Sequence, residues 1–142
     1  MRNYKIISFV LLLALTGCGK SPLLNKVNKN LYEVTGGILL SEQFPNQKIG
    51  FSLNWIVRPG LDELSSFELK LDRPLSAGQS LKVYLWMPEM GHGSSPVTTT
   101  QLNSTDYIFS ELAFIMPGLW DLHVEILENN QVIDQWRKSI TL

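Results

Sequence analysis

Two methionines and a histidine fall within six positions, Met87-Pro88-Glu89-Met90-Gly91-His92, in a chain with only four methionines and two histidines. Apart from Met1, the remaining methionine is Met116, which opens Met116-Pro117-Gly118-Leu119-Trp120. Thioether sulfur and imidazole nitrogen are soft to borderline donors, a set that suits Cu(I) and not Ca²⁺ or Mg²⁺, which take oxygen. The spacing Met87-x-x-Met90-x-His92 lets all three reach one point about 2–2.5 Å from each donor atom. Gly91 and Gly93 flank His92 and allow the backbone to turn tightly around it. Met116 precedes a Pro-Gly bend, and its sulfur would meet that of Met87 if their strands are neighbours. A plainer reading stands beside this one. Met87 would fill the core, Met90 plug the end of the domain, His92 sit solvated in a loop, and Met116 lie against Trp86 or Trp120. Spacing alone leaves both open.

Other chemistry is not written in the chain. There is no Gly-x-Ser-x-Gly elbow, phosphate loop, dinucleotide fingerprint or His-Glu-x-x-His. No catalytic residue is assigned, and the chain reads as non-enzymatic. His123 alternates with Trp120, Leu122 and Val124 and should point outward between Asp121 and Glu125, solvated and not a ligand.

The residues that must position these groups recur at period two, the signature of strands. Ile49, Phe51, Leu53, Trp55 and Val57 form one apolar row; Phe67, Leu69 and Leu71 a second; Leu81, Val83, Leu85 and Met87 a third. Trp120, Leu122, Val124 and Ile126 form a fourth, and Val132, Trp136, Ile140 and Leu142 a fifth that Asp134 and Lys138 interrupt. Segments 31–40 and 107–115 are strand-like but less regular, Gly36-Gly37 suggests a bend, and Thr98-Thr99-Thr100 reads as an edge strand. Turn chemistry separates the rows at Arg58-Pro59-Gly60, Asp72-Arg73-Pro74, Ala77-Gly78, Asn103 to Asp106 and Asn129-Asn130, the last a hairpin tip. About seven strands with one buried face each predict an all-β, antiparallel, immunoglobulin-like sandwich. Strand parity turns Met87 inward and Trp86 outward. Pro88, which lacks an N–H, should end the ladder and release Glu89 to Pro96 as a loop.

Residues 1–17 carry Arg2 and Lys5, an apolar run from Ile6 to Leu15 and then Leu15-Thr16-Gly17-Cys18. That run is too short to span a bilayer of roughly 30 Å, and the segment reads as a signal peptide ending in a bacterial lipobox. Cys18, the only cysteine, is then the lipidated (palmitate-bearing) N-terminus, and no internal disulfide can form. Gly19 in place of an aspartate favours the outer membrane, facing the periplasm. Residues 18–30 read as a tether and residues 31–142 as one domain. Removing 1–17 leaves ten basic against thirteen acidic side chains, a net charge of −3. With no basic field, nucleic acid is not an expected partner.

Three segments, Val83-Tyr84-Leu85-Trp86-Met87-Pro88-Glu89-Met90-Gly91-His92-Gly93, Tyr107-Ile108-Phe109 and Phe114-Ile115-Met116-Pro117-Gly118-Leu119-Trp120-Asp121-Leu122-His123-Val124, resemble the YtkA-like domain, a family related to the FixH-type proteins. The likeness covers roughly residues 45–127. It implies a secreted or membrane-anchored β-sandwich of the kind discussed beside copper-handling proteins, with Met87, Met90, His92 and Met116 as the candidate ligands. The chain departs from the pattern at Asp106, where a glycine is expected before Tyr107. Two functions follow as expectations. One is a lipid-anchored copper-binding or copper-passing protein acting through its Met/His rim. The other is a metal-free module that docks an envelope partner at the same end through Trp86.

Overall fold

A computed structural model describes residues 39–142. The expected signal peptide, Cys18, the expected tether and the bend expected at Gly36-Gly37 lie outside the described residues. Among the described residues nine strands follow in order: β1 (Leu39–Gln43), β2 (Gly50–Val57), β3 (Ser65–Leu71), β4 (Gln79–Met87), β5 (His92–Gly93), β6 (Thr98–Gln101), β7 (Asp106–Leu112), β8 (Leu119–Glu128) and β9 (Gln131–Thr141). They build one sheet of order β1-β2-β3-β7-β6 and a second of order β5-β4-β8-β9, with every pairing antiparallel. The chain crosses between sheets from β3 to β4, β5 to β6 and β7 to β8. Without β1, the order β2-β3-β7-β6 against β5-β4-β8-β9 is the Greek-key arrangement of the immunoglobulin-like sandwich. The expected fold class is therefore the observed one. Two short edge strands, β1 and β5, raise the number of strands above the seven or so expected.

The first four apolar rows reach the interior that their parity predicts, Val57 only partly. In the fifth, Trp136 is buried while Val132 is 51 % exposed, next to the shift in the β8–β9 pairing between Ile126 and Leu127. Phe51, Leu53 and Trp55 of β2 and Phe67, Leu69 and Leu71 of β3 are buried, as are Leu81 to Met87 of β4 and Trp120 to Ile126 of β8 at alternate positions. Aromatic rings tie the interior together. Phe51 meets Phe44 at 4.9 Å and the edge of Trp136 at 5.2 Å, while Phe67 lies 5.2 Å from Trp55 and 5.1 Å from Phe109. Burial of apolar area, at about 25 cal/mol per Å², does the work that a bridging disulfide does in antibody domains.

The turns behave as their residues dictate. Asn129 and Asn130 both adopt positive φ, 51° and 63°, in the two-residue connection between Glu128 and Gln131, the geometry whose twist matches the flanking strands. Strand β7 stops at Leu112 and not Ile115. Glu111 takes φ 64°, the pairing with β3 shifts there, and Phe114 still turns inward after the ladder ends. The expected loop from Glu89 to Pro96 is shorter than predicted. Pro88 does end β4, but the chain folds straight back and His92–Gly93 pairs with Met87 and Trp86.

Asp134, which spoils the apolar row of β9, is 2 % exposed and serves as an anchor. One carboxylate oxygen accepts the N–H groups of Asn46 at 2.8 Å and Gln47 at 2.6 Å, tying the β1–β2 loop to the opposite sheet. Arg73 reaches the same loop, donating to the carbonyl of Gln47 at 2.7 Å. Hydrogen bonds to a charged acceptor stabilise more than neutral ones, and removing the acceptor takes the partner from two backbone donors at once. We expect Asp134→Ala to lower unfolding stability in urea by about 2–3 kcal/mol, and Asp134→Asn, which keeps an acceptor, to lower it less.

Candidate metal centre

The end of the sandwich that carries the Met/His residues is assembled from the β4–β5 turn and the β7–β8 connection. At the first, the carbonyl of Met87 accepts the N–H groups of Met90 at 3.2 Å and Gly91 at 3.0 Å, and Gly91 takes φ +66°. Glycine adopts that conformation without a Cβ clash. The turn sets His92 directly opposite Met87. Opposed residues of an antiparallel pair share a face, so His92 faces inward as Met87 does. Its ring meets Trp120 edge-on at 6.4 Å.

One contact fixes the chemistry of this imidazole. Nδ1 of His92 lies 3.0 Å from the carbonyl oxygen of Gly93. A carbonyl can only accept, so Nδ1 carries a proton, and in the neutral ring Nε2 is the nitrogen with the lone pair. Protein metal sites orient their histidines in the same way, with one ring nitrogen donating to a carbonyl or carboxylate and the other left for the metal.

At the second segment, the indole Nε1 of Trp120 donates to the carbonyl of Met116 at 3.0 Å. Gly118 adopts φ +135° and exchanges two 3.0 Å backbone hydrogen bonds with Leu142. A Cβ on Gly118 would stand 2.5 Å from Cε of Met87, so the methyl of Met87 lies on the bare face of that glycine. Met87 thus lies on Gly118 and His92 against the edge of Trp120, while the main-chain carbonyl of Met116 holds the indole N–H. They are not equally accessible. Met87 is 3 % exposed, His92 and Met116 are half-buried, and Met90 stands out on the turn at 57 %. Among the described residues no three histidines, cysteines or acids converge to hold a metal. The soft donors at this end are the thioethers of Met87, Met90 and Met116 and the His92 imidazole.

Large apolar side chains are exposed at the same end. Leu61 and Leu64 stand on the β2–β3 loop, Trp86 and Met90 beside and on the β4–β5 turn, and Ile115 on the β7–β8 connection. Trp86 is outward, as parity predicts.

His123 corrects the sequence-based expectation. It does face outward, between Asp121 and Glu125, but all three are buried. Strand β8 lies between β4 and β9, and long side chains of both neighbours close over it. Tyr84 stacks on the His123 ring at 4.5 Å, and the Gln135 amide contacts Nδ1. Asp121 accepts from Ser139 at 2.7 Å and pairs with Arg137 at 3.5 Å. Glu125 accepts from the Tyr84 hydroxyl at 3.0 Å, while its second oxygen lies 3.5 Å from Lys82 with no hydrogen bond. Burial, and next the hydrogen bond to Glu125, push the Tyr84 phenol up to about 12. Burial also pulls the His123 imidazole below its usual range, and Arg137 acts in the same direction against Asp121 and Glu125. This polar layer escaped the sequence because its alternation is that of a solvated face; the one available signal was the central position of β8.

Two consequences are measurable. Gly118→Ala forces a methyl against Met87 at a φ that L-residues rarely adopt, and should cost about 1–3 kcal/mol in chemical denaturation. His123 has a folded pKa below its unfolded value of 6.5, so the unfolded chain binds the extra proton. Stability should be level above about pH 6.5 and fall on acidification below it. His123→Gln should flatten that limb of the thermal-midpoint profile.

No known protein family matches the chain, and neither a curated protein nor a solved structure matches it.

Proposed function

We propose that the chain is a lipid-anchored, non-enzymatic protein of the bacterial envelope that binds or passes Cu(I) at the Met/His end of its sandwich. The observation that carries this reading is the Gly93 carbonyl on Nδ1 of His92, which in the neutral ring leaves Nε2 as a lone-pair donor on the residue paired with Met87. His92 and Met116 supply half-buried donors, Met90 an exposed one on a turn, and Met87 a buried one. Soft donors with no thiolate suit a Cu(I) ion that must also leave. The exposed Met90 is the natural point of exchange with another protein. Kinship to the YtkA-like domain is proposed on the motif segments alone, as are Cys18 lipidation, the palmitate-bearing anchor and an outer-membrane, periplasm-facing location.

A second reading is favoured by the exposed Leu61, Leu64, Trp86, Met90 and Ile115 at that end. Apolar side chains gathered this way mark docking surfaces, and the end would then hold an envelope partner without metal. One pair of variants separates the two. We expect Met87→Leu/Met90→Ala/His92→Ala, with the buried methionine replaced at nearly constant volume, to weaken Cu(I) binding at least tenfold in a chelator competition. Trp86→Ala should leave it unchanged. A triple variant that binds Cu(I) as tightly as the parent removes the metal site. Under the docking reading, Trp86→Ala loses the partner instead.

A further inference from the structure

A cleft unrelated to the Met/His end lies at the edge of the five-stranded sheet remote from β1, the strand with which the described chain begins. It exists because the two sheets differ in width on this side. Among the described residues β5 extends the second sheet only beside Met87 and Trp86, so at Gln79 to Leu81 the edge is β4 itself. Strand β6 overhangs that edge. Thr99 is paired with Phe109 and Gln101 with Tyr107, and opposed residues share a face. Thr99 and Gln101 therefore stand on the inward face of β6, yet both are exposed, because no described strand covers them. The space between has a volume of about 400 Å³, within the range of about 300–1,000 Å³ that holds small ligands.

The lining is uncharged but rich in groups that hydrogen-bond. No acidic or basic side chain is among the described residues that border the cleft; hydroxyls and amides, those of Thr99, Gln101 and Ser104 among them, share it with Leu75 and Leu81. Tyr107 is the informative residue. It borders the cleft although it is only 6 % exposed. Its oxygen accepts from the Gln101 amide at 3.2 Å, and no acceptor among the described residues takes its own proton. Burial pushes this phenol above its usual range, so it remains a donor at neutral pH. A buried donor that lacks an acceptor, set among leucine side chains, is complementary to a neutral carbonyl that carries a methyl group.

We propose that the cleft binds a neutral N-acetylated sugar, its acetamido carbonyl accepting from Tyr107 and its methyl resting on Leu75 and Leu81. The ring hydroxyls exchange hydrogen bonds with Thr99, Gln101 and Ser104. A charged sugar finds no counter-charge in this lining and is disfavoured by the cost of desolvating it. The copper reading plays no part here, because no residue of the Met/His end borders the cleft.

The test is a calorimetric titration of the full chain with N,N′-diacetylchitobiose, for which saturable binding is expected. Cellobiose, the same disaccharide with hydroxyls in place of the acetamido groups, should bind roughly tenfold more weakly or worse, because it forfeits the carbonyl acceptor and the buried methyl. Tyr107→Phe removes only the hydroxyl and should weaken the acetylated sugar about five- to tenfold. Thr99→Arg, at an exposed position of an edge strand, sets a long side chain across the cleft. It should abolish binding while the far-ultraviolet circular dichroism remains that of the parent. The proposal is overturned by a titration that does not saturate or by equal binding of the two disaccharides. It is equally overturned by an affinity unchanged in Tyr107→Phe, or by binding that survives Thr99→Arg.

Discussion

The candidate site depends on one hydrogen bond, from the indole N–H of Trp120 to the carbonyl of Met116. Trp120 is fully buried, and its single polar atom must find an acceptor or forfeit much of what burying the ring contributes. The acceptor lies four residues back, so the chain between is folded into a compact connection. That fold fixes Gly118 in a conformation open to glycine, and the missing Cβ is the space that the methyl of Met87 fills. His92 closes the arrangement against the edge of the same indole, and Phe114 packs edge-on from another side. One buried ring therefore sets the relative positions of two segments separated by more than twenty residues of chain.

Strand β8 shows how little room a central strand leaves for solvent. Its inward side chains fill the sandwich, and its outward ones, Asp121, His123 and Glu125, are covered by Tyr84, Arg137 and Gln135 from the strands on either side. The two faces are buried for different reasons. Inside, apolar area is removed from water; outside, charges are shielded by partners that keep most of their lone pairs occupied. Glu125 shows the limit, with one oxygen hydrogen-bonded and the other held only by the ammonium of Lys82.

The strands of the sandwich were legible because period-two burial is a local property: a residue and its second neighbour reveal a face wherever the sheet ends up. Asn129-Asn130 was legible for the same reason, since positive φ is a preference of those residues themselves. The inward Met87, the outward Trp86 and the stop at Pro88 also followed from parity and a missing N–H. What could not be read was anything decided by a neighbour far along the chain. His123 is covered by Tyr84 and Gln135, Asp134 is fixed by the loop at Asn46, and the return of His92 to the sheet depends on the free edge of β4. The donor set was visible as residue types, but the carbonyl that selects the tautomer of His92 appears only in three dimensions.

The described domain contains no sulfhydryl group, so its fold does not respond to the thiol–disulfide balance of its surroundings. Its oxidisable sulfurs are thioethers, and they differ in access. Met87 is shielded behind Gly118, whereas Met90 stands in solvent. Peroxide would reach Met90 first and turn its sulfur into a sulfoxide, a polar group whose donor atom is a hard oxygen. The turn would keep its shape, because its hydrogen bonds come from backbone groups. Oxidative damage at this end would thus be recorded as a change in the chemistry of one exposed side chain, with the sandwich beneath it intact.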